Sequence, residues 1–396
     1  MTNEEIIAQA EDVIIHTYGR YPVAFVRGQG ATVWDANGKA YTDFLSGIAV
    51  CVLGHCHPRI VEAIKQQAET LLHVSNFYYT LPQTEVAAFL SAHAFGGKSF
   101  FCNSGAEANE AALKIARKYG HDHHGPERSE FITTTNSFHG RTLGTVAATG
   151  QVKVQKGFEP LLPGFTHVPY GDLAAVEQAM TERTCAVFVE PIQGEGGIVV
   201  PPDGYLEGLR HMCDQRDVLL MFDEVQTGIG HTGYLFGYQH HGVVPDVMTL
   251  AKGLGGGLPI GVMMAKPHVA ESLGSGTHGS TFGGNPVACS AALAVLQTIE
   301  EENILDHVKQ VGAHFFAGLQ RLQAKYAFIT EVRGRGLMLA AELDRPGAHM
   351  VVKCMERGYL INCTVDTVLR FLPPLTITAQ EVDGLLTVLD TVLGEE

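Results

Sequence analysis

Four short apolar runs, at 131–135, 186–190, 218–222 and 247–251, punctuate the middle of the chain, and amphipathic stretches such as 106–119 and 205–216 lie between them. Each run is too short for a typical helix and is bounded by turn-forming residues, so it reads as a buried strand. Strands alternating with helices imply an α/β lobe around a mostly parallel sheet, with a ligand crevice beyond the carboxyl ends of the strands. The residues that follow such runs therefore carry the expectation of function. They are Asn103-Ser104-Gly105, Ser137-Phe138-His139-Gly140-Arg141, the loop 190–197, Asp223-Glu224-Val225-Gln226 and Lys252-Gly253.

With 396 residues, 45% of them hydrophobic, the chain can bury a large core divided between two lobes. From about Asn285 the pattern changes to helices at 287–301 and about 304–326, followed by strand-like pieces near 337–343 and 368–371. Residues 31–41, with Asn37-Gly38 at the centre, read as a hairpin. The expected organisation is an N-terminal segment (1–50) that joins the small lobe, a large ligand-binding lobe (51–285), and a smaller α+β lobe (286–396).

Lysine and arginine number 27 against 42 acidic residues, a formal charge of −15. That balance argues against nucleic acid or an anionic membrane as a partner and for a small molecule. No apolar run approaches the roughly 18 residues of a membrane helix, and the start Met1-Thr2-Asn3-Glu4-Glu5 has no basic head of a signal peptide, so a cytoplasmic protein is expected. The eight cysteines are scattered, with no paired spacing, and read as reduced thiols.

Each candidate loop has an ordinary reading beside a chemical one. The turn before the helix at 106–119 can hold a phosphate with backbone amides, the helix dipole and the Ser104 hydroxyl, or Ser104 can simply cap the helix. Asp223, at the end of a buried strand, needs a partner; a protonated pyridine nitrogen, a structural salt bridge or a metal would each serve. Lys252 ends an apolar strand and precedes a glycine run. Desolvation there would favour a neutral, imine-forming amine, whereas a lysine reaching back to solvent is the plainer alternative. Phe138 offers an aromatic face, and Arg141 a guanidinium that can grip a carboxylate in bidentate fashion. The loop 190–197 brings acidic groups to the same edge. Taken together, the loops describe a site for an aromatic aldehyde phosphate.

In their order and spacing, these motifs resemble the class III aminotransferases, and among them the acetylornithine aminotransferases, from Tyr18 to Arg370. The resemblance implies fold type I of the pyridoxal-phosphate-dependent transferases and a homodimer with active sites shared between subunits. It further implies pyridoxal 5'-phosphate carried on Lys252 as the catalytic residue, with Asp223 at the ring nitrogen, Gln226 at the ring hydroxyl and Phe138 against the ring. Ser104, Gly105 and Ala106 would hold the phosphate, joined by Thr281 from the partner subunit; many relatives have threonine where this chain has Ala106. Tyr18, Arg141, Ser280, Glu195 and Arg370 would contact substrate, with Glu195 masking Arg370 when an ω-amine is bound. Ile48 stands where relatives acting on free ornithine carry a tyrosine, which favours an acylated amine. The implied reaction moves the δ-amino group of N-acetylornithine to 2-oxoglutarate. A sister ω-amine, a mutase of the same fold or a nicotinamide-dependent oxidoreductase are the alternatives. His121-Asp122-His123-His124 reads as a solvated turn, and His55-Cys56-His57-Pro58 as the entry to a helix, with no metal site at either.

Overall fold

The computed structural model describes residues 1–396. Its central sheet has seven strands, in the spatial order Lys98–Cys102, Gly261–Ala265, Val247–Leu250, Leu219–Asp223, Thr184–Val189, Glu130–Thr134, Phe165–Val168. The last five are parallel to one another, and Gly261–Ala265 runs antiparallel to both of its neighbours. Alternate residues enter different cores: Ile132, Val187, Phe222 and Met248 join the largest apolar cluster, while Phe131, Phe188, Met221 and Val247 pack in a second cluster with Ala111, Ala112 and Ile115. Because both faces are covered, Thr184–Val189 and Leu219–Asp223 are buried throughout, which is why the sequence shows continuous apolar runs there rather than an alternating pattern.

The helix after Asn103-Ser104 spans Gly105–His124, longer than the pattern at 106–119 predicts. His121, His123 and His124 form its last turn instead of a loop, at the end where the helix dipole favours cations; Gly125, at φ +97°, ends it. Helix Pro58–Thr70 starts directly after His57, as the reading of 55–58 expects. No helix is long and apolar enough to cross a membrane.

The C-terminal region forms an antiparallel sheet, Ile329–Arg335, Met338–Leu343, Val368–Phe371 and Asn362–Thr364, covered by helices that include Ile304–Lys325 and Ala379–Leu393. Thr32–Asp35 and Ala40–Asp43 form the expected hairpin, and Tyr359–Leu360 extends its sheet in parallel beside Ala40–Asp43. Residues of the N-terminal and C-terminal regions thus share a sheet. Helix Pro286–Glu301, where the sequence pattern changes, packs against Pro58–Thr70 and Leu81–His93. Phe315, fully buried, lies edge-on to Phe44 at 5.8 Å and to Phe371 at 5.1 Å, so one ring ties the N-terminal segment to the strand that carries Arg370. Phe315→Ala is expected to cost about 3–5 kcal/mol through lost burial and a residual cavity. Denaturant unfolding checks this, and a loss under about 1 kcal/mol would contradict the packing role.

Candidate active site

The strand ends meet at a cavity of about 500 Å³. Ser104, Gly105, Ala106, Phe138, Arg141, Glu195, Asp223, Gln226 and Lys252 all line it, so residues spread over some 150 positions of sequence converge there. Arg370 lies immediately behind Glu195, 1% exposed. Ser280 sits at the edge, where its hydroxyl accepts a hydrogen bond from Asn103 Nδ2 at 3.2 Å. Tyr18 and Thr281 are exposed and outside the cavity lining of this chain.

Ser104 is the N-cap of Gly105–His124, and its side chain accepts from the Glu107 amide at 3.2 Å. The capping reading of Ser104 therefore holds, and it leaves the first-turn amides of Gly105 and Ala106, residues that line the cavity, without a backbone acceptor. A Cβ on Gly105 would stand 2.8 Å from Val225 Cγ1, so glycine lets the helix start approach the Asp223 loop.

Asp223, 3% exposed, is the best-tethered group in the cavity. Its Oδ2 accepts from His139 Nδ1 and from Asn109 Nδ2, each at 2.8 Å, and its Oδ1 accepts from the Val225 amide at 3.0 Å. Asn109 is in turn held by the Thr249 hydroxyl at 2.6 Å, and the His139 ring stacks on Phe188 at 4.3 Å. Sequence reasoning quoted His139 without giving it a task and passed over Asn109 and Thr249. A signal for Asn109 was present: it is the one polar side chain among the buried residues of a helix whose other buried positions are apolar or glycine, Ala108, Ala111, Ala112 and Leu113 among them.

Lys252 adopts a left-handed backbone, φ +43°, unusual for a side chain of its size. Burial holds its pKa below the ordinary lysine value, opposed by the negative charge of Glu195 and reinforced by the positive charge of Arg370. Burial is the largest influence on Glu195 and raises its pKa, but the positive charges of Arg370 and Lys252 and the hydrogen bonds from Arg370 and Gln226 together hold the carboxyl below the usual range; Arg370 Nη1 lies 2.6 Å from it. Burial pushes Glu190 up to about 7. Gln226 Nε2 lies 3.3 Å from Glu195, while its Oε1 is buried without a partner. The Arg141 guanidinium rests over the Phe138 ring, 5.4 Å from its centre.

The family model described as aminotransferase class-III matches residues 14–393. The chain belongs to the class-III aminotransferases. Acetylornithine aminotransferases of Methanocaldococcus jannaschii and Caldanaerobacter subterraneus are each 52% identical to it, over 100% of this chain and 99% of the first relative, and over 98% and 99% for the second. Among solved structures, the ornithine aminotransferase of Toxoplasma gondii superposes with TM-score 0.96 at 38% identity, covering 100% of this chain and 96% of that one. The acetylornithine aminotransferase of Elizabethkingia anophelis gives 0.90 at 33%, with each chain fully covered. The fold is therefore type I of the pyridoxal-phosphate-dependent transferases. Class-III aminotransferases use pyridoxal 5'-phosphate, and the residues present fit it: two amides at a helix start for a phosphate, a buried carboxylate for a ring nitrogen, an unsatisfied carboxamide oxygen on Gln226, and a desolvated amine on Lys252.

The depressed pKa of Lys252 has a direct readout. In cofactor-free protein, labelling of Lys252 by an amine-specific reagent, followed by peptide mass, is expected to rise with pH along a curve whose midpoint lies below that of surface lysines. A midpoint at the surface value would contradict the desolvated environment.

Proposed function

We propose that this class-III aminotransferase transfers the δ-amino group of N2-acetyl-L-ornithine to 2-oxoglutarate, giving N-acetyl-L-glutamate 5-semialdehyde and L-glutamate, a step of arginine biosynthesis. The observation that carries this reading is the Glu195–Arg370 ion pair at the cavity wall. A δ-amine brings no carboxylate to the reacting carbon, so Arg370 beside it needs another anion, and Glu195 supplies one. When 2-oxoglutarate enters, its carboxylate next to the carbonyl takes Arg370 once the Glu195 side chain withdraws, and its distal carboxylate takes Arg141. Ile48 belongs to an apolar cluster with Ile192 and Ile198, flanking the gate loop, and Val50 lines the cavity; these offer no partner to a free α-ammonium and suit an acylated one. The full-length likeness to proteins named acetylornithine aminotransferase supports the same substrate.

Pyridoxal phosphate supplies an aldehyde that exchanges amines and a ring that takes up the electron pair of a deprotonated carbon. In this reading the Gly105 and Ala106 amides bind its phosphate, Phe138 faces the ring, and Gln226 bonds the ring hydroxyl. Asp223, fixed by His139 and Asn109, keeps a proton on the ring nitrogen. Lys252 Nζ takes the proton from the substrate δ-carbon and returns it. Arg141 and Ser280 orient the α-carboxylate end of the substrate, with Tyr18 closing over it.

The reading includes a cytoplasmic homodimer. Phe77, Tyr79 and Phe282 are strongly exposed beside Ser280-Thr281, and Asn76 ties the two segments by donating to Ser280 O at 3.0 Å and Gly283 O at 2.9 Å. A second copy covering this strip would carry Thr281 to the neighbouring phosphate site. Sedimentation is expected to show a dimer, and a fully active monomer would refute this part. Reduced thiols at all eight cysteines suit a reducing compartment.

The test is single-turnover kinetics of each half-reaction, with N-acetylornithine, succinylornithine, ornithine and 4-aminobutyrate as donors. N-acetylornithine is expected to react with the highest kcat/KM. Glu195→Gln should shift preference toward glutamate and away from acetylornithine by about 1–3 kcal/mol, and Arg370→Ala should do the reverse. Equal losses in both halves for both variants would make the pair merely structural.

A further inference from the structure

Glu190 is 5% exposed and has no cationic partner among the ion pairs of the structure. Its two carboxylate oxygens are each used by a backbone amide from a different loop. Oε1 accepts from the Phe138 amide and Oε2 from the Gly194 amide, both at 3.0 Å. We propose that Glu190 is a positioning residue for amine transfer, its one carboxylate locking the loop that presents Phe138 and Arg141 to the loop that presents Glu195.

Gly194 is the point through which this lock reaches the gate. Its amide is held by Glu190, and its carbonyl accepts from Arg370 Nη1 at 3.4 Å. A Cβ there would collide with the Gln226 carboxamide, so the peptide is wedged between three groups of the site. The rest of the loop is tied from outside: the Tyr170 hydroxyl lies within hydrogen-bond distance of the Glu190 and Pro191 carbonyls at 3.0 and 2.9 Å, Gln193 Nε2 donates to Thr134 Oγ1 at 3.0 Å, and the Arg333 guanidinium donates to the Gly197 carbonyl at 2.8 Å. With the backbone fixed at 190, 193, 194 and 197, exchange of Arg370 between Glu195 and a substrate carboxylate is confined to the Glu195 side chain. The ring-facing wall then keeps its place in both half-reactions. A carboxylate suits this task because both of its oxygens accept, whereas a carboxamide at the same position accepts with one and turns an NH2 on the other amide.

This inference rests on the proposed two-substrate gate. Glu190→Gln, as purified holoenzyme, is expected to lose about tenfold or more in kcat/KM for both half-reactions, the size associated with losing a hydrogen bond to a charged group, with the larger loss for acetylornithine because the released loop no longer holds Glu195 on Arg370, and to show altered visible circular dichroism of the bound cofactor. In the Glu190→Gln background, adding Glu195→Gln should no longer shift the preference between glutamate and acetylornithine, since the gate loop is already released; thermal unfolding midpoints report any general loss of structure. Additive effects of the two substitutions on that preference, or wild-type half-reactions and dichroism in Glu190→Gln, overturn the proposal. A second measurement needs no variant: hydrogen exchange of the wild-type protein, read by mass spectrometry, should show peptides over 136–142 and 191–198 strongly protected at matching rates. Exchange of the Gly194 peptide as fast as an exposed loop also overturns it. Neither the exchange result nor the glutamate half-reaction depends on which ω-amine is the donor, so failure of the acetylornithine reading remains distinguishable.

Discussion

A carboxylate at the end of a strand buried on both faces is tolerated only where every lone pair that faces the protein is answered. Asp223 meets that condition through His139, Asn109 and the Val225 amide. The other elements of the site take their places from this anchor. Asn109 fixes the rotation of helix Gly105–His124 about the Asp223 strand, and with it the direction of the first-turn amides. His139 fixes the loop that carries Phe138 and Arg141. Thr249 closes the network from the strand that ends at Leu250, two residues before Lys252. One buried hydrogen-bond chain thus connects the helix that starts at Gly105, the loop of the aromatic wall and the strand that precedes Lys252.

Around this anchor the cavity holds charge in a graded way. Asp223 is tied by fixed dipoles and an imidazole, Glu195 by the buried Arg370 guanidinium, and Lys252 has no carboxylate within ion-pair distance. The grading suits the role proposed for each position. A group that must keep one protonation state is held by several rigid partners; a group that must exchange partners has one strong ion pair that an incoming carboxylate can replace; a group that must react as a free amine is desolvated and left without a close carboxylate. Left-handed backbone occurs in the same region, at Lys252 and at 46–49, where four successive residues have positive φ.

Much of the fold was legible because burial on both faces writes itself into the sequence as uninterrupted apolar runs, and the runs at 131–135, 186–190, 218–222 and 247–251 mark strands of the central sheet to within a residue or two. The loops at their ends then pointed to one crevice, and Ser104, Phe138, Arg141, Glu195, Asp223, Gln226 and Lys252 do meet there. What sequence could not supply was pairing. Nothing in the chain order says that Asn109 reaches Asp223 across 114 positions, or that Glu190 divides its two oxygens between Phe138 and Gly194. His121, His123 and His124 were misplaced for a related reason: a polar, histidine-rich run looks like a turn, but it is the exposed last turn of a helix whose other face is packed. Tyr18 and Thr281 lie outside the cavity of the chain, and the contacts proposed for Thr281 require a second copy.

Lys252, set at the convergence of these strand ends, is the amine proposed to carry the cofactor. Reduction of the holoenzyme with borohydride, followed by proteolysis and peptide mass spectrometry, locates that amine directly. The account predicts a pyridoxyl phosphate mass increment on the peptide containing Lys252 and on no other. An increment on a different lysine, or none on a protein that has kept its cofactor absorbance, would contradict it.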